Sequence, residues 1–158
     1  MRLRHFLIPT LVAATGVMTF GGVASAAPTK VGTEAFTLTA DINAEGVAVT
    51  ASGVIDDTGV DIAVSDTEDT FDFGPNGQIT VFHSPIRNRD HFNAKKCTLS
   101  FNETGTYVFG NGTGEWADYN GSGTYRVEVR ITDGCVDPPV GTFTITAKGP
   151  INLATSEP

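Results

Sequence analysis

From Thr33 to about Pro150 apolar and polar residues alternate with period two, and no stretch of useful length shows a helical period. Phe36, Leu38 and Ala40 alternate with Thr37 and Thr39; Val47, Val49 and Ala51 form the next run. Val60, Ile62 and Val64 then stand against Asp61, Ala63 and Ser65, and Phe71 and Phe73 flank Asp72. The Gly74-Pro75-Asn76-Gly77 turn leads into Ile79, Val81 and His83. Later runs carry Cys97, Leu99 and Phe101, then Tyr107 and Phe109. The cleanest sets Tyr125, Val127, Val129 and Ile131 against Arg126, Glu128 and Arg130, and the last carries Phe143, Ile145 and Ala147. This is the signature of about eight or nine half-buried strands. Short Gly, Asp-Asp and Asn-Gly punctuation makes sequential strands antiparallel neighbours. A closed barrel or a sandwich would bury their apolar faces, and the barrel is preferred because it leaves no edge exposed. One segment, His83 to Lys96, breaks the alternation; it reads as a long surface loop collecting Arg87, Arg89, His91, Lys95 and Lys96.

The first residues follow a different logic. Met1-Arg2-Leu3-Arg4-His5 is basic, Phe6 to Val23 is largely apolar, and Ala24-Ser25-Ala26 is an A-x-A cleavage site. Residues 1–26 therefore read as a signal peptide and 27–158 as a single secreted β domain with its core at about 33–150. The mature part keeps eight basic side chains against eighteen acidic ones, a balance of −10. That excess argues against nucleic acid and, after signal cleavage, against an anionic membrane surface as partners. Cys97 and Cys135 are the two cysteines, and in an exported chain an even count favours a disulfide between them.

The most distinctive stretch runs from Gly112 to Tyr125, with Gly112, Gly114, Trp116, Gly121 and Gly123 as its turn motif. Its glycines allow tight backbone approach between two strands, and Trp116 is placed to plug an end of the core. A strand follows rather than a helix, which excludes a phosphate-binding loop. The order of elements here is Cys97, Gly105-Thr106-Tyr107, Gly112 to Trp116, Gly121 to Tyr125, Cys135 and Ala147-Lys148-Gly149-Pro150. It resembles the allene oxide cyclase and dirigent barrel-like superfamily, and most closely its small secreted bacterial members. The match is strongest over 97–150 and weaker over 33–84. The resemblance implies an all-β, eight-stranded antiparallel barrel of calycin-like form with an apolar interior, assembled into dimers or trimers. For chemistry it implies only cyclase-like control of an apolar guest by shape, and no catalytic residue carries over.

Seven acids between Asp56 and Asp72 invite a calcium site, but their spacing does not fit a calcium loop and a solvated face is the better account. His83 continues the Ile79 and Val81 face toward the interior, where an Asp or Glu of a neighbouring strand would orient it. No Gly-x-Ser-x-Gly elbow supplies a nucleophile, and no metal site or cofactor is indicated. The triplets starting at Asn102, Asn111 and Asn120 match the glycosylation pattern but read as surface turns. The favoured expectation is a barrel binding a small apolar molecule, with His83, Phe101, Tyr107, Phe109, Tyr125 and Val127 lining or capping the cavity. The alternative is a non-catalytic extracellular or cell-surface module that works through the basic segment or an oligomer interface.

Overall fold

A computed structural model describes residues 29–154; the expected signal peptide lies outside the described residues. The strands are β1 (Thr29–Asp41), β2 (Val47–Ser52), β3 (Asp57–Ser65), β4 (Glu68–Asp72), β5 (Gln78–Asn93), β6 (Thr98–Gly112), β7 (Tyr119–Asp133) and β8 (Val140–Ala154). Each pairs antiparallel with the next, and β8 closes on β1 from Thr29↔Ala154 to Asp41↔Thr142. The result is the eight-stranded antiparallel barrel, in which each strand pairs with a neighbour on both sides for part of its length. Alternation fills it: Phe36 and Leu38 of β1, Val49 of β2, Phe71 of β4, Ile79 and Val81 of β5 and Ile151 of β8 are all buried.

The two ends differ. The turns Gly74–Asn76 and Gly114–Trp116 are short 3₁₀ segments that pack on each other across one end. Gly77 and Gly114 both have positive φ there, and a Cβ on Gly77 would stand 2.0 Å from the Thr113 carbonyl oxygen. This close approach seats Trp116 against Phe73 and Tyr119, ring centres 5.5 and 6.1 Å away, as a plug. At the other end β2, β3 and β4 stop after 6, 9 and 5 residues while β5 to β8 run for 15 or 16. The long strands overrun the short ones and leave that end open. Cys97 and Cys135 form the disulfide, Cα atoms 5.5 Å apart, joining the β5–β6 and β7–β8 turns at the open end.

Two expectations fail. The segment from His83 to Lys96 is strand as far as Asn93, paired with β6 through Asn93↔Thr98. A register shift between Pro85 and Arg87 changes its phase, so the alternation broke without the strand ending. Beyond Phe82 this strand has no ladder partner in β4, which explains its exposure. In β3 the apolar set faces outward: Val60, Ile62 and Val64 are 48%, 46% and 56% exposed. The register Val49↔Gly59 and Val47↔Asp61 puts Gly59 and Asp61 on the inner face instead. Gly59 is required there because a Cβ would stand 2.2 Å from the Asp72 carbonyl oxygen.

Candidate functional site

Inward side chains of β1 and β4 to β8 leave a cavity that is partly open to solvent. Its walls are Phe36, Leu38, Phe71, Val81, Phe109, Val127, Ile145 and Ala147, and its polar lining is Asp69, His83, Glu103, Tyr107 and Tyr125. The rings interlock, with Phe36 centred 5.5 Å from Phe71 and 5.4 Å from Phe109. The cavity volume is about 70 Å³, several times what one water needs. That is well below the roughly 300–1,000 Å³ of a pocket enclosing a drug-sized ligand. It is also below the roughly 150 Å³ of a dry apolar cavity that takes up benzene, so the end of an apolar group enters and the rest of a guest lies toward the open end.

Period-two alternation delivers the polar groups to one side of this space. His83 follows Ile79 and Val81 inward, and Asp69 stands two residues before inward Phe71 on the adjacent strand. Their side chains meet with His83 Nε2 3.3 Å from Asp69 Oδ2. Burial raises the Asp69 carboxyl, and the His83 charge partly offsets this. Behind it, burial and then the Asp69 charge push Asp61 up to about 7. Tyr125 packs on the His83 ring in an edge-to-face arrangement, ring centres 5.7 Å apart, and donates a 2.8 Å hydrogen bond to Glu103 Oε1. Desolvation and that bond hold the Tyr125 phenol protonated well above its usual range. A guest in the cavity therefore meets an imidazole–carboxylate pair and a phenol–carboxylate pair beside apolar walls. The arrangement suits hydrogen bonding to one polar group and proton exchange with it. Among the described residues no set of three His, Cys, Asp or Glu side chains is placed to hold a metal ion.

No family model, curated protein or solved structure matches the chain.

Of the residues singled out in the sequence, the structure brings His83, Tyr107, Phe109, Tyr125 and Val127 together around this cavity. Phe101 lies further along β6, opposite Asp90 and Val129, half-buried and packed on the core's margin. His91 is exposed on the overrunning part of β5. Sequence reasoning missed Asp69 and Glu103. Asp69 was hidden in the acidic run from Asp56 to Asp72, though its two-residue offset from Phe71 was a usable signal.

It also missed Glu34, which is 0% exposed on β1. Its Oε2 accepts a 2.8 Å hydrogen bond from the Ile55 N–H, pinning the β2–β3 turn to the barrel. Gly53 makes room for this contact, since a Cβ there would stand 2.3 Å from the Thr33 carbonyl oxygen. Burial raises the Glu34 carboxyl despite its backbone donors. Glu34 pairs with Gly149, which lies against Gly123, and Gly123 pairs with Tyr107. The two glycines leave an inner trough, and the Tyr107 hydroxyl lies 2.7 Å from where a Gly123 Cβ would be. Burial and the Glu34 charge push the Tyr107 phenol up to about 12. The glycine motif thus clears the floor beneath the cavity.

Proposed function

We propose that this is a secreted β-barrel protein that holds a small apolar molecule, or the apolar end of a longer one, in its interior. On this reading it is built on the plan of the allene oxide cyclase and dirigent barrels. The observation that carries it is the partly open cavity of about 70 Å³ with aromatic and aliphatic walls and its polar groups gathered beside one another. The closed eight-stranded barrel and the glycine trough beneath Tyr107 support the family reading. The disulfide supports export, since such bonds persist in oxidising compartments. Any chemistry done on the guest falls to the shape of the walls and to the His83–Asp69 pair, which is placed to exchange a proton with it.

The test is titration with small aromatic probes such as indole and cyclohexylbenzene, read by ligand-observed NMR. Val127→Trp fills the cavity with a larger apolar side chain and should abolish binding while the barrel stays folded. Equal binding by both proteins would place the probe elsewhere and overturn the proposal.

A further inference from the structure

The chain is acidic overall, yet the fold gathers its cations. Register places Arg87 of β5 opposite Thr104 of β6, and Thr104 opposite Arg126 of β7. The next rows on the same outer face are Arg89, Asn102 and Glu128, then His91, Ser100 and Arg130. Four arginines from strands far apart in sequence therefore share one outer wall, with Lys95 and Lys96 in the turn at its end. Glu128 is the carboxylate paired with them, 2.7 Å from Arg126 Nη2 and 3.5 Å from Arg130 Nη2. Among the described residues Arg87 and Arg89 are in no ion pair. They line a groove of about 430 Å³ together with Asn102, Glu103, Thr104 and Arg126, so three arginines there stand against the single carboxylate of Glu103, which accepts the Tyr125 hydroxyl's hydrogen bond. The exposed acids Asp56 and Asp66 lie in the β2–β3 and β3–β4 turns, outside these three strands.

We propose that this wall binds an acidic polysaccharide, a sugar polymer bearing carboxylates. The argument is charge complementarity with chemical detail. Guanidinium forks bind planar carboxylates through two parallel hydrogen bonds, and the cations here are arginines rather than lysines. Successive rows lie ~7 Å apart along a strand, so the forks form a ladder suited to a repeating anion rather than a single ion. Asn102 Oδ1 accepts a 3.3 Å hydrogen bond from Arg126 Nη2, leaving its amide N–H groups and the Thr104 hydroxyl to meet sugar hydroxyls. Nucleic acid is disfavoured because the groove's lining includes no aromatic ring on which a base would stack. The arginines lie on the outer surface of the barrel and the proposed guest lies within; Glu103 is the side chain that lines both spaces, and the aromatic-probe measurement below separates the two readings.

The experiment uses the mature chain and calorimetric titration with polygalacturonate oligomers at low salt. Binding should weaken at least tenfold in R87Q/R89Q and by less than twofold in T39E/S52E, which changes the net charge equally on β1 and β2. Both variants alter exposed strand positions, and circular dichroism checks that they fold. R87Q/R89Q should also keep wild-type affinity for the small aromatic probes. Three results would overturn the proposal: no binding by the native protein, equal weakening in the two variants, or tighter binding of polyphosphate or single-stranded DNA than of the uronate polymer.

Discussion

Asp61 shows how one side chain couples the site to stability. Its ordinary value is 3.8, and burial together with the Asp69 charge raises it to about 7 in the folded state. Between these values the folded chain holds a proton that the unfolded chain has released. Its stabilising contribution is therefore fully present below about pH 4. It declines as pH rises through 7 and is gone above that. Asp61→Asn should flatten this fall and leave the variant more stable than the native protein at pH 8. Urea midpoints at pH 4.5, 6 and 8 measure it, and parallel pH profiles for the two proteins would refute the assignment. The inward direction of His83 was legible because it extends the Ile79 and Val81 alternation. That of Asp61 was not: it stands between Val60 and Ile62, the residues alternation would send inward, and these face out instead.

At the scale of elements, alternation defines two faces without naming the inner one. In β1, β6 and β7 the larger residues point inward and set the phase. In β3 the apolar residues point outward, because Val49↔Gly59 pairing and the crowding of Gly59 against Asp72 set the phase. Neither the pairing partner nor the crowding is visible in the strand's own residues. The same limit applies to β5, where the shift at Pro85 and Arg87 made a continuous strand look like a loop. Stability separates the two faces of the barrel. Ile62→Ser, on the exposed face, should change unfolding free energy by no more than about 0.5 kcal/mol. Leu38→Ala, at a position 1% exposed, should cost about 2–5 kcal/mol. Chemical denaturation of both variants checks the contrast, and a loss of several kcal/mol for Ile62→Ser would mean that this stripe is buried in the working protein.

The whole molecule is a ring held differently at its two ends. Trp116 and the paired 3₁₀ turns close one end through burial, while the other is held by long paired strands and a covalent bond between two turns. The disulfide was legible from two cysteines in a chain with a leader-like start, but its place at the open end of the barrel depends on ring closure, which no local pattern specifies. Linking positions 38 residues apart restricts the unfolded chain, by roughly 4 kcal/mol in the loop-entropy account. Cys97→Ser with Cys135→Ser should therefore lower the unfolding free energy by about 2–4 kcal/mol without disturbing the far end. The lone tryptophan reports on that end directly. Its emission maximum should match the native protein's in the folded double variant, while the denaturation midpoint falls. A red-shifted native spectrum would show that the plugged end depends on the bond at the open end, and that the ring behaves as one stiff body.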